Sequence, residues 1–314
     1  MTDSMSAPPR TAVSVGVVAP IFNNMPLWVG QHFGWFAEAG LDVDAEVLYG
    51  VGRVTDAVRE GRMAIGIGTP ESVLSDTTPV SEGSSLRIVA ANAGAVSNVL
   101  IARRGITSIE DLRGGTIGVS HPREGTALLA TEVLARHGLV AGRDVQLAAV
   151  GVAEQRWDMI RNGDIDAGLQ TPPHAYIADD EGFPNLGAIA DVIPHYQFTT
   201  LNARRDWVAG HGAALDAFLD VLARGTRWMY DEADATIALA AEVMETSVDY
   251  ATRDYTRFVS ARTLDPELEL SGPGMAKVVE VMTAAGTLTA TSERDRRDRI
   301  DLSHLPSRRP VPRS

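Results

Sequence analysis

One register of self-similarity governs what this 314-residue chain can become. Arg59, Gly61, Gly66, Thr69 and Pro70 recur 102 positions later as Arg161, Gly163, Gly168, Thr171 and Pro172. The same offset carries Gly16-Val17 and Pro20 onto Gly118-Val119 and Pro122, and Asp42-Val43 onto Asp144-Val145. An offset held over some 55 residues implies two equivalent units, each opening with a strand and a ligand-facing turn.

Within each unit the apolar pattern alternates between strand and helix. In the first, the pattern predicts a strand over 12–19, a helix over 27–39 stopped by Gly40, a strand over 43–48, a helix over 54–60 and a strand over 63–67. The second repeats the order at 116–119, 127–137 (stopped by Gly138), 145–150, 153–162 and 165–169. Such alternation predicts parallel sheets with right-handed crossovers. Extended stretches at 86–91 and 98–102 flank Asn92–Ser97, and another at 195–202 follows the second unit, so paired crossings are expected. From 207 to 286 the spacing of Leu215, Phe218, Leu219 and Leu222 and their successors is helical. The Arg- and Pro-rich stretch 292–314 reads as a solvated, partly disordered end.

Composition removes whole classes of chemistry. Without Cys there is no thiol nucleophile, disulfide, iron–sulfur cluster or thiolate zinc site. Lys277 is the single lysine, so a phosphate loop ending in Gly-Lys-Ser/Thr is absent. A net charge of -13 speaks against nucleic acid or an anionic membrane surface, since both need a basic face. No membrane span is expected, because no apolar run reaches about 18 residues. Residues 1–20 lack the basic start, apolar stretch and cleavage site of a secretory signal. The expected location is therefore cytoplasmic, or periplasmic or cell-surface if the start site is misassigned or the chain was trimmed.

Four phrases carry a family resemblance: Pro26-Leu27-Trp28 through Phe33-Gly34-Trp35-Phe36 to Gly40-Leu41-Asp42-Val43; Gly61 to Leu74; Ile106 through Asp111-Leu112-Arg113-Gly114 to Val119; and Gly163-Asp164-Ile165-Asp166-Ala167-Gly168. Across roughly residues 12–260 the chain resembles the type II periplasmic-binding-protein superfamily, in the branch serving nitrate, sulfonate, taurine and thiamine-pyrimidine transport. The resemblance implies an α/β clamshell of two lobes, each a mainly parallel sheet flanked by helices, with extra C-terminal helices on lobe one. Expected boundaries are 1–96 plus 198–314 for lobe one and 97–197 for lobe two, with the ligand cleft between them.

Ligands of open parallel sheets sit beyond the carboxyl ends of strands, where helix N-termini present free N–H groups. Four turns meet that condition. The first offers Phe22, Asn23 and Asn24 as an aromatic plane and two amides; the second offers Thr69, a natural N-cap, and Glu71. The third holds His121, Arg123, Gly125 and Thr126, a cation beside a helix start that favours an anion. The fourth, repeat mate of the second, holds Thr171 and His174. His195 on the returning crossing lines the expected cleft floor, with Tyr196 beside it. Trp157 and Trp228 read as core, and His32, His137, His211 and His304 have no metal-ligand spacing, so neither metal nor cofactor is expected.

The principal expectation is a solute-binding protein of the ABC-transporter type, closing over a small anionic or heteroaromatic ligand, with a transporter permease as partner. The alternative, by analogy of fold, is a cytoplasmic, cofactor-independent decarboxylase or other lyase acting on an aromatic or carboxylic acid. His121 and His174 would then exchange protons and Arg123 would anchor the carboxylate.

Overall fold

A computed structural model describes residues 9–121 and 125–309. Its strands are β1 (Thr11–Val17), β2 (Leu41–Val47), β3 (Ile65–Gly68), β4 (Leu86–Ala91), β5 (Val99–Ala102), β6 (Thr116–Val119), β7 (Gln146–Ala149), β8 (Ala167–Gln170), β9 (Asn185–Ala188) and β10 (Thr200–Arg204). The helices are α1 (Met25–His32), α2 (Trp35–Glu38), α3 (Val51–Arg59), α4 (Pro70–Leu74), α5 (Thr126–Arg136), α6 (Ala153–Asn162), α7 (His174–Asp180), α8 (Ile189–Val192), α9 (Arg205–Gly210), α10 (Gly212–Asp231), α11 (Ala233–Val243), α12 (Val248–Ala261), α13 (Gly272–Ala284) and α14 (Glu293–Asp298). Two five-stranded sheets result, ordered β2-β1-β3-β10-β4 and β7-β6-β8-β5-β9. This is the two-lobed α/β clamshell that the resemblance implied.

The repeat has a packing cause. Gly16 pairs with Gly66 across β1 and β3, and Gly118 pairs with Gly168 across β6 and β8. A Cβ at Gly66 would lie 2.8 Å from both Val54 Cγ1 and Val58 Cγ2 of α3. At Gly118 it would lie 2.6 Å from Ile165 Cδ1 and 3.3 Å from Arg156 Cγ of α6. The bare backbone lets α3 and α6 lie directly on their sheets. Packing at interior density leaves no room for the extra carbon.

Each sheet takes its antiparallel strand from a crossing: β10 lies between β3 and β4, and β5 between β8 and β9. The crossings pair with each other, the N–H groups of Phe198 and Thr199 donating to the Ala93 carbonyl and that of Asn92 to the Thr199 carbonyl. Lobe one buries α10, α11 and α12 against its sheet through Phe218, Leu239 and Phe258. The later helix α13 sits at the junction, where Val278, Val281 and Met282 join the lobe-two core and Lys277 Nζ donates to Glu132 of α5 at 3.2 Å.

Three local expectations need correction. The helix expected over 27–39 is broken, because Gly34 takes a left-handed φ of 70° and ends α1 before α2 begins. The returning strand starts at Thr200 rather than 195. The segment 292–309 is ordered: it runs along the outer edge of β4, with Ile88 N–H donating to the Arg299 carbonyl and Asp301 N–H to the Ile88 carbonyl. Arg299 is buried against Asp76 and Leu305 is buried in the lobe-one core, so two anchors outweigh the polar composition between them.

Candidate functional site

The first turn of α3, which follows β2, meets the loop after β6: a Cβ placed at Gly52 would lie 3.8 Å from His121 Cδ2. Between the lobes, the paired crossings form the floor.

On the lobe-one side, short polar side chains at the strand ends are knitted into a buried network. Thr55 Oγ1 bonds Ser72 Oγ at 3.0 Å, and Ser72 Oγ also bonds Thr69 Oγ1 at 3.1 Å. Asn202 Nδ2 of β10 donates to the Thr69 carbonyl at 3.0 Å. Thr69 does occupy the N-cap position of α4, but its hydroxyl is taken by Ser72 rather than by the helix backbone. Glu71 is wholly buried and accepts a 2.6 Å hydrogen bond from the Tyr196 hydroxyl of the returning crossing. Burial, with the Glu71 carboxylate beside it, pushes the Tyr196 hydroxyl well above the usual tyrosine range, so it stays a donor.

The floor is an amide cluster. Asn24 Nδ2 donates to the Ala19 carbonyl, and Asn92 Nδ2 donates to Asn24 Oδ1 and Thr199 Oγ1, both at 3.1 Å. Asn23 and Asn98 are 2% and 1% exposed. Asn23 Nδ2 and both amide atoms of Asn98 have no hydrogen-bond partner among the described residues. Buried amides are rarely left so, and these supply donors and an acceptor beside the strand ends.

On the lobe-two side, the turn into α5 is closed by Thr126, whose Oγ1 accepts from Ser120 N–H at 2.7 Å and pairs with Ser120 Oγ at 2.9 Å. Gly125 supplies the φ of 50° that the turn needs. Beneath the ends of β7 and β8 lies Arg156, 3% exposed. Its Nε and Nη2 donate to the Leu169 carbonyl at 3.0 and 2.7 Å, and its Nη1 donates to the Gly151 carbonyl. Among the described residues no carboxylate lies within ion-pair distance of it. Desolvation lowers its pKa to about 10, which leaves it charged at neutral pH. His174, at the start of α7, is pushed down chiefly by burial; Arg156 pushes the same way, against Glu154 and Asp158.

The structure brings most of the expected residues to this region but gives several of them other work. Phe22 points into the lobe-one core, its ring 5.2 Å from Phe258 and 6.4 Å from Tyr255, so it offers no plane to a ligand. Both amide atoms of Asn24 are engaged in holding the floor. His195 is exposed while its neighbour Tyr196 turns inward, so the crossing presents a phenol and not an imidazole. Thr171 is half-buried at the end of β8. Arg123 lies outside the described residues. Sequence reasoning missed Ser72, Asn98 and Arg156. For Arg156 the helical pattern gave the wrong signal, since a polar residue on an amphipathic helix reads as solvent-facing.

Two cavities lie elsewhere. One, of about 440 Å³, is lined by Ser14, Arg204, Asp206, Trp207 and His211; its Arg204 pairs with Asp206 and Trp207 stacks on His211. The other, of about 630 Å³, lies beside α10 and α12 and is lined by Arg227, Tyr230 and Arg262. Neither sits at the strand ends. No group of three or more His, Asp or Glu among the described residues can hold a metal ion, and no described helix is long and apolar enough to cross a membrane.

Comparison with known proteins fits this geometry. The bicarbonate-binding protein CmpA of Synechococcus sp. is 27% identical over 240 residues, which span 68% of this chain and 53% of CmpA. The chain thus spans about half the length of the curated relatives it matches. A ligand-binding component of an ABC-type import system from Staphylococcus aureus superposes with a TM-score of 0.77 at 14% identity, covering 94% of this chain and 98% of that one. The periplasmic aliphatic sulphonate binding protein SsuA from Escherichia coli gives 0.70 at 14% identity, covering 92% of each chain. The family model described as NMT1/THI5 like matches residues 21–236, well over half the length. The chain belongs to the NMT1/THI5-like family.

Proposed function

We propose that this protein is a solute-binding clamshell of the ABC-transporter type whose ligand is a small oxyanion held between the lobes. One observation carries the reading: a buried guanidinium, Arg156, stands at the strand ends of lobe two with only carbonyl partners among the described residues. A buried charge is costly unless an opposite charge comes near it, and an anion in the cleft supplies one. The amides of Asn23 and Asn98 and the N-terminus of α5 add donors for its oxygens.

The relatives named above bind bicarbonate and an aliphatic sulphonate, both oxyanions, which supports the same class here. Their description as binding proteins favours binding over the lyase alternative. A permease partner and a periplasmic or cell-surface location go with this reading.

The test is a panel of bicarbonate, nitrate, sulfate, methanesulfonate, taurine and benzoate, with urea as a neutral control. Thermal shift and calorimetry are read beside product analysis. At a hundredfold excess over Kd, one anion should stabilise the fold by about 2.7 kcal/mol with no product formed. Turnover of a carboxylic acid, or stabilisation by the neutral control alone, overturns the proposal.

A further inference from the structure

Tyr176, Asp180, Tyr250 and Arg253 meet where α7 of lobe two faces α12 of lobe one. Tyr176 and Asp180 stand one turn apart on α7 of lobe two, and Tyr250 and Arg253 stand one turn apart on α12 of lobe one. Arg253 Nη1 donates to both carboxylate oxygens of Asp180 at 3.0 Å. The Arg253 guanidinium carbon lies 4.3 Å from the centroid of the Tyr176 ring and 5.6 Å from that of Tyr250. The two rings stack 6.3 Å apart at 24°. Each lobe therefore contributes one ring and one charge, and every contact is made across the boundary or with the arginine that spans it.

The mounts on either side are rigid. Ala251 and Phe258 fix α12 in the lobe-one core, and Ala178 fixes α7 in that of lobe two. One turn further along α12, Arg257 is held by the buried Asp254 at 2.6 Å and also reaches the Tyr176 hydroxyl, so it backs the same junction.

We propose that Tyr176, Asp180, Tyr250 and Arg253 form an interlobe clasp that biases the protein toward the closed state before any ligand arrives. Each contact is modest: a half-exposed ion pair, a cation over a ring and a stacked pair. Formed and broken together, they shift the closed-to-open ratio by roughly tenfold to a hundredfold. The ion pair is 33% and 49% exposed on its two sides, so salt weakens it.

The absence of cysteine makes the test clean. Glu46→Cys on β2 and Gln146→Cys on β7 place one spin label on the outer strand of each sheet of the full chain. Interlobe distances are then read by double electron–electron resonance on dialysed protein without added anion. The clasp predicts a dominant short distance that Arg253→Ala and Asp180→Ala each convert in part to a longer one, with the exchange Asp180→Arg/Arg253→Asp restoring the short population. Raising ionic strength from about 0.05 to about 0.5 M should lengthen the parent but not Arg253→Ala. The proposal is overturned if the single variants keep the parent distribution, or if the parent, which needs no substitution in the clasp, does not respond to salt. Neither outcome depends on which anion binds.

Discussion

Replacing Arg156 by methionine separates what this buried cation does for the fold from what it does for a ligand. The guanidinium makes three hydrogen bonds to the carbonyls of Leu169 and Gly151. Methionine fills a similar volume but leaves those carbonyls without these donors, at a cost of about 2–4 kcal/mol. For a chain this size that lowers Tm by roughly 3–6 °C. A bound monoanion at roughly 8 Å, in an effective dielectric near 20, loses about 2 kcal/mol of attraction, or roughly thirtyfold in Kd. Arg156→Lys keeps the charge but not the fork, so it should recover most of the affinity while remaining thermally weak. Calorimetry with the best anion of the panel, beside Tm for each variant, reads both effects. Equal anion affinity in parent and Arg156→Met, or no recovery in Arg156→Lys, refutes the electrostatic role.

Other consequences are open to simpler measurements. Because burial lowers the His174 pKa, the unfolded chain binds more protons below about pH 6.5. Stability must therefore fall as pH drops through that value toward the folded pKa, and His174→Gln should flatten the Tm-versus-pH curve between pH 7 and 5; parallel curves would show that His174 is not the group responsible. Gly66→Ala pushes a carbon to 2.8 Å from two stiff valines and should cost about 1–3 kcal/mol, whereas Gly168→Ala meets only the tip of Ile160 at 3.2 Å and should cost less. Urea midpoints in the opposite order contradict the packing account of the repeat. Arg299→Met strips a buried partner from Asp76, whose side chain is 2% exposed but keeps Arg59 at 3.8 Å and the N–H groups of Thr78 and Leu86, and should lose about 1.5–3 kcal/mol, checked by urea unfolding; a loss below about 1 kcal/mol would return 292–309 to the solvated reading.

The sequence disclosed most of the frame. The offset of 102 carries β3 onto β8, and strand 86–91, strand 116–119 and helix 153–162 stand where periodicity placed them. That success has a physical source, since a glycine pair under a helix and an apolar strand between two layers are both local patterns. The site was less legible because its residues depend on which way one side chain turns. At the returning crossing, the irregular backbone ahead of β10 turns Tyr196 inward and leaves His195 exposed, a one-residue choice that composition cannot make. Phe22 looked like a ligand plane until α12, more than 200 residues later in the chain, brought Phe258 against it. The ordered segment 292–309 was hidden for the same reason: Asp76 and β4, which hold it, lie over 200 residues away.

The exchange of β5 and β10 has a consequence for how the molecule is assembled. Each run of four strands, β1–β4 and β6–β9, sends the strand that follows it into the opposite sheet, so a division of the chain between β5 and β6 leaves each piece one strand short of its sheet. On two separate copies of a 102-residue unit, the same wiring would be a strand-swapped homodimer; here the two protomers share one backbone. A chain nicked between β5 and β6 would yield two fragments that each carry the other's missing strand, and their folding would be a bimolecular reaction that depends on concentration.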